Sequence, residues 1–250
     1  MAVSKALIVA LTVAGCHARL ADPDLRASDA RVVDVVDAPP SELPDTAPAC
    51  SNGRVVYLNF EGQSLQQAAA SDAPTNRAAW MTTLAGTAPA YHAGSANRSA
   101  EIEAIVTGVR SQLASFPITV VTTRPASGPY VMVVFGGTAN NVGSAYGAAV
   151  NKLDCGDAVK SDVAWIADAV TPTQRVVNFA VGAVGFGLGL TATSVSTDCM
   201  CGWANSCVSD NSVACTLTSQ IARDPAAMQL CPGAAATQDE PAAFAAAFCQ

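Results

Sequence analysis

Between Thr171 and Thr197 the chain has no Asp, Glu or His, and the first half of that stretch is apolar almost all round. Val176, Val177, Phe179, Val181, Val184, Phe186 and Leu188 leave no polar face for water, so a helix here must be enclosed by the rest of the fold. Thr171-Pro172-Thr173-Gln174 predicts its start, with Thr171 as N-cap, Pro172 at the first helical position and Gln174 three residues after the cap. Gly182, Gly185 and Gly187 each cost about 1 kcal/mol against alanine inside a helix. Burial and cross-links must offset that cost.

What encloses the helix is legible in part. Arg54 to Phe60 reads as a strand of β-branched and aromatic residues closed by Glu61-Gly62, where Glu61 is a turn residue. The stretch from Gln63 to Asn97 is polar and Ala-rich and carries no clear pattern. Ser99 is expected to open a helix with Glu101 and Glu103 in its first turn. Its buried stripe is Ile102, Ile105, Val106, Val109 and Leu113, and Pro117 ends it. Strands follow at Ile118 to Thr123, Tyr130 to Phe135 and Val163 to Ala167. This order predicts an α/β (α+β) fold, a mixed twisted sheet with a long helix after the first strands and a buried helix behind it.

Composition narrows function. The protein carries a net charge of −7, so a nucleic-acid partner is excluded: nothing here would displace counterions from a phosphate backbone. Its two histidines are His17 and His92. Residues 1–15 read as an export signal, with Lys5 before a short apolar run too short to span a bilayer, then Val13-Ala14-Gly15-Cys16. The last four residues resemble a bacterial lipobox. That resemblance implies acylation of Cys16 and a membrane attachment through lipid, with His17 favouring the outer membrane over inner-membrane retention. The alternative is an ordinary secretory signal cleaved nearby, which leaves the protein secreted. Residues 16–49 are expected to form a flexible acidic tether, and 50–250 the folded domain, with a core over 54–203 and a Cys-rich part over 199–250. Without Cys16, eight cysteines remain: Cys50, Cys155, Cys199, Cys201, Cys207, Cys215, Cys231 and Cys249. An even number in an exported chain implies disulfides, with the pairing left open.

The element order, the VVYLNFEG strand and the buried helix followed by Asp198-Cys199-Met200 resemble the metzincin (matrixin-like) zinc metalloproteases found among bacterial lipoproteins. In that family the buried helix carries H-E-x-x-H-x-x-G-x-x-H, whose histidines hold zinc and whose Glu activates the metal-bound water, and a methionine turn lies beneath. Aligning Val184-Gly185, Gly189 and Met200 with the family pattern puts Gly182, Phe186 and Ala192 at the histidine positions and Ala183 at the Glu position. None of the four supplies a donor. The resemblance therefore implies a degenerate member with no metal and no cofactor, a pseudoprotease. On this register, His at 182, 186 and 192 with Glu at 183 is expected to recreate a zinc site.

Other chemistry finds little purchase. There is no G-x-S-x-G elbow, and His92 reads as a hydrogen-bonded or exposed loop residue. Asp154, Asp157 and Asp162 surround Cys155 without calcium-loop spacing, yet they are the carboxylates a hydrolase with an unrecognised metal site would use. Trp203 and Tyr146 are candidates to line a groove. The expected function is a non-catalytic surface module that binds a polypeptide or envelope partner along an edge strand, placed at Tyr130 to Phe135. The alternatives are that hydrolase and a purely structural envelope lipoprotein.

Overall fold

The computed structural model describes residues 53–247. The signal segment, Cys16, the 16–49 tether, Cys50 and Cys249 lie outside them. Strands β1 (Val55–Asn59), β2 (Gln63–Gln67), β3 (Arg77–Ala78) and β4 (Ala85–Ala88) precede helix α1 (Arg98–Leu113). Next come β5 (Thr119–Val121), β6 (Tyr130–Phe135), α2 (Ala139–Val142), β7 (Ala149–Val150), β8 (Val163–Ile166) and α3 (Thr173–Gly187). The C-terminal part holds β9 (Ile221–Ala222), α4 (Pro225–Met228), β10 (Thr237–Gln238) and α5 (Glu240–Ala247).

The main sheet has the order β5-β1-β6-β8-β7, with the first four strands parallel and β7 antiparallel to β8. This is the mixed α/β arrangement expected from the sequence. One expectation is overturned: Tyr130–Phe135 is not an edge. β6 lies between β1 and β8, and all six of its residues are buried. An uninterrupted apolar run marks a strand with neighbours on both sides and both faces covered, whereas an edge alternates or is short. The edges of this sheet are β5 and β7.

Helix α1 starts at Arg98 with Asn97 at the cap, one residue before Ser99. Ile105, Val106, Val109 and Leu113 are buried as their spacing requires, with Ile102 partly buried against the core. The helix packs closely on α3, where the Val177 side chain lies 2.7 Å from the point a Cβ on Gly108 would occupy. The polar 63–97 segment is structured. It forms a second sheet, β3-β2-β4, tied to the first where the Trp80 indole N–H donates to the Val163 carbonyl at 2.6 Å. Gln63–Gln67 buries only Leu65, which is why its strand character carries no hydrophobic signal.

Helix α3 is enclosed: every residue from Ala180 to Leu188 is buried. Thr171 does not cap it. Pro172, joined to Thr171 by a cis bond, stands at the cap in extended conformation without a side-chain cap bond. Gln174 turns instead to donate to Asn178 Oδ1 at 2.9 Å. After α3, Gly189 takes a left-handed backbone (φ +83°), and a Cβ there would stand 2.8 Å from the Asp154 carbonyl oxygen. The chain beyond has few regular elements and is cross-linked by Cys155–Cys231, Cys199–Cys215 and Cys201–Cys207.

Candidate functional site

Residues 175, 179, 182 and 186 recur at the i, i+4, i+7, i+11 spacing of one helix face, so α3 presents Arg175, Phe179, Gly182 and Phe186 along a single stripe. The loop from Cys199 to Cys207 lies against it, held by two disulfides that begin at Cys199 and Cys201. Between those cysteines sits Met200, fully buried, with its sulfur 2.9 Å from where a Cβ on Gly185 would stand. Asp198 fixes the turn by accepting from Thr193 Oγ1 at 3.0 Å and from the Met200 amide at 2.9 Å. Three residues on, the indole of Trp203 spans the stripe. Its ring lies 5.3 Å from that of Phe186 and 6.3 Å, edge-on, from that of Phe179. A Cβ on Gly182 would fall 2.2 Å from Trp203 Nε1 and 2.5 Å from the Cys199 carbonyl oxygen. Glycine at 182 is what lets the indole approach.

This aromatic row forms part of the lining of a cleft of about 820 Å³. Its lining includes β7 with its preceding residues from Tyr146 and the 202–209 loop. Of the large apolar side chains left exposed, Tyr146 (60%), Val208 (83%) and Leu230 (50%) all line this cleft. Arg175 is the one charged residue in its lining, its guanidinium 5.1 Å from the centre of the Phe179 ring. Among the described residues it has no carboxylate partner.

The residues that the sequence resemblance puts at the metal-binding positions do not fit a zinc ion. Gly182, Ala183, Phe186 and Ala192 carry no nitrogen, oxygen or sulfur in their side chains, and the space beside Gly182 is taken by the Trp203 ring. Among the described residues no group of three or more His, Cys, Asp or Glu could hold a metal. Two of the three aspartates around Cys155 are drawn into other bonds, while Asp162 Oδ2 is buried without a hydrogen-bond partner among the described residues. Asp157 accepts from both terminal nitrogens of Arg54 (2.9 and 2.8 Å) and from Lys160 Nζ (2.6 Å). Asp154 accepts from the Val159 amide at 2.6 Å. Asp162 is buried, and burial followed by the nearby Asp154 and Asp157 charges pushes its carboxyl up to about 8. Glu240, also buried, is raised by burial and by the carboxylate of Asp198.

His92 is a hydrogen-bonded loop residue away from the cleft. Its Nδ1 lies 2.6 Å from Glu101 Oε2 and its Nε2 2.9 Å from the Asp168 carbonyl oxygen, with the ring stacked on Tyr91 at 4.1 Å. Burial disfavours its charge, but the Glu101 and Asp168 bonds outweigh burial and raise the imidazole pKa. Glu61 accepts from Arg98 at 2.9 Å. Among the described residues neither side chain is bonded to a serine, threonine or cysteine.

Trp203 and Tyr146 thus come together as groove residues. Arg175, Val208, Leu230 and the β7 edge were not singled out by the sequence, and Phe179 was read only as an apolar residue of the enclosed helix. The 4-3-4 spacing of Arg175, Phe179, Gly182 and Phe186 was the available signal; β7, two residues long, left none. No protein-family model and no curated protein matches this chain.

Proposed function

We propose that this protein is an exported, lipid-anchored pseudo-metalloprotease that binds an extended polypeptide in the α3–β7 cleft without cleaving it. The observation that carries this reading is the aromatic row Phe179–Trp203–Phe186, which stands across the helix face where a metalloprotease of the resembled family would display its ligands. The metzincin-like resemblance is supported by the mixed sheet, by α3 ending in a left-handed Gly189 and by Met200 packed beneath Gly185. Binding is supported by the clustering of exposed Tyr146, Val208 and Leu230 around one cleft, because concave, mostly apolar sites with a few polar groups are where ligands bind. β7 is hydrogen-bonded to a strand on one side only, so a polypeptide can pair with its other side by strand addition. Acylation of Cys16 would keep the domain at the cell envelope, within reach of envelope or surface polypeptides.

Selection of 12-residue peptides from a random display library on the purified domain tests this reading. Enriched peptides are expected to bind saturably, to be recovered intact after long incubation and to bind more weakly to Val208→Asp. Position 208 is exposed, so that variant should retain the wild-type melting temperature. Failure to enrich any peptide over the bare support, or cleavage of the enriched peptides, would contradict the proposal. Labelling with a radioactive fatty acid tests the anchor: incorporation is expected in the wild type and none in Cys16→Ser.

A further inference from the structure

The cleft is apolar along most of its lining, with one cationic side chain at the start of the helix that floors it. Arg175 occupies the third position of α3, and its guanidinium is stacked on Phe179 four residues later. Stacking on an aromatic face fixes the plane of the guanidinium while leaving its edge N–H groups for an acceptor. No such acceptor is present among the described residues: Arg175 makes no ion pair, and its Nε is buried without a hydrogen-bond partner. Two arginines remote from the cleft are ion-paired, Arg54 with Asp157 and Arg98 with Glu61, while Arg110, Arg124 and Arg223 donate to neutral oxygens. Arg175, by contrast, has neither a carboxylate nor a neutral oxygen on its guanidinium among the described residues.

We infer that Arg175 is the anchor for a carboxylate of the bound polypeptide, so that the cleft selects extended segments bearing an acidic group beside apolar residues. This rests on the polypeptide-binding reading above and adds the class of ligand. The apolar residues would contact Tyr146, Val208 and Trp203, and the carboxylate would take the two-pronged bond that arginine offers. Partial exclusion of water by the cleft strengthens that bond relative to one at an open surface. Repulsion from the acidic body is screened beyond about 8 Å at physiological salt, so it does not cancel the local attraction.

The same display library, selected in parallel on the wild type, Arg175→Gln and Arg175→Glu, separates this inference from the reading beneath it. Glu in the first turn of a helix suits the positive helix end, so the charge-reversed variant is expected to fold, checked by its circular dichroism and melting temperature. Wild-type selection should enrich Asp or Glu at one fixed spacing from apolar residues. Synthetic copies of an enriched peptide should lose about tenfold in affinity when that residue becomes its amide, and a similar factor on Arg175→Gln. Arg175→Glu should enrich Lys or Arg at the same spacing. Comparing copies with a free and an amidated C-terminus tells a side-chain carboxylate from a terminal one, either of which satisfies the inference. Peptides that bind with no acidic preference, or with equal affinity to all three proteins, would overturn the role of Arg175 and leave polypeptide binding standing. No enriched peptide on any of the three would overturn both.

Discussion

Trp203 stands against Gly182 so closely that the first atom of any side chain at 182 would lie 2.2 Å from the indole nitrogen. Gly→Ala in a helix interior normally gains about 1 kcal/mol from propensity. Here overpacking reverses the sign, and Gly182→Ala is expected to destabilise the domain by about 1–3 kcal/mol in urea unfolding. The cost should shrink in a Trp203→Ala background, because the two residues share one space and their effects cannot add. The same contact bears on the expectation that His at 182, 186 and 192 with Glu at 183 recreates a zinc site: a side chain at 182 must first displace the Trp203 indole and the Cys199 carbonyl oxygen. The expectation is therefore best tested with Trp203→Ala added to the four substitutions.

The three described disulfides close loops of very different length, with sequence separations of 76, 16 and 6. Loop-closure entropy puts the loss on removing them at about 4.5, 3 and 2 kcal/mol respectively. Paired serine substitution at Cys155 and Cys231 should therefore lower stability most. Loss of Cys201–Cys207 should cost least in stability but weaken peptide binding, since its loop contains Trp203. Peptide mapping by mass spectrometry under non-reducing conditions checks the pairing itself.

His92 offers both ring nitrogens to acceptors, the Glu101 carboxylate and the Asp168 carbonyl oxygen, and only the doubly protonated ring can donate to both. Its pKa is raised on folding, so its stabilisation is fully present below the unfolded value near 6.5 and is lost as pH rises through the folded value. His92→Gln should flatten the fall in melting temperature above pH 6.5 and bring little change in peptide affinity.

Asp162 acts in the same direction for a different reason. Its carboxyl is neutral in the fold up to about 8 but ionises near 3.8 in the unfolded chain. Stability contributed by this group is therefore unchanged below about pH 4, falls as pH rises towards 8 and is flat beyond. Asp162→Asn keeps the shape without the charge, and should raise the melting temperature at pH 8.5 with no gain at pH 4. Glu240, raised by burial and by Asp198, adds to the same slope, and Glu240→Gln should reduce it. The wild type is expected to be more stable at pH 5.5 than at pH 8.5.

Long apolar patterns carried most of what the sequence disclosed. The β6 run, the α1 stripe and the all-round burial of α3 each follow from a period or from its absence. The β6 run was nonetheless misjudged as an edge, because an unbroken run signals burial on both faces and its sheet neighbours come from β1 and β8, which are distant in sequence. β2, β3 and β4 were hidden for the opposite reason: they bury too few residues to leave a period. Within the site, the lack of His, Cys, Asp or Glu from 182 to 192 was readable directly. That Trp203 fills the space was not, since the contact joins a loop to a helix face through a disulfide framework whose pairing spacing alone leaves open. Arg175 was passed over because its want of a partner is a property of the folded surface.

The central claim is that the Gly182–Phe186 face of α3 is an aromatic floor and not a metal site. Its most direct test is zinc content by mass spectrometry after saturating the purified protein with zinc and removing excess by gel filtration, with a fluorogenic peptide-library assay on the same sample. The expected result is far less than one zinc per chain and no turnover that a chelator abolishes. One zinc per chain, retained through filtration and lost together with peptide cleavage on chelation, would contradict it.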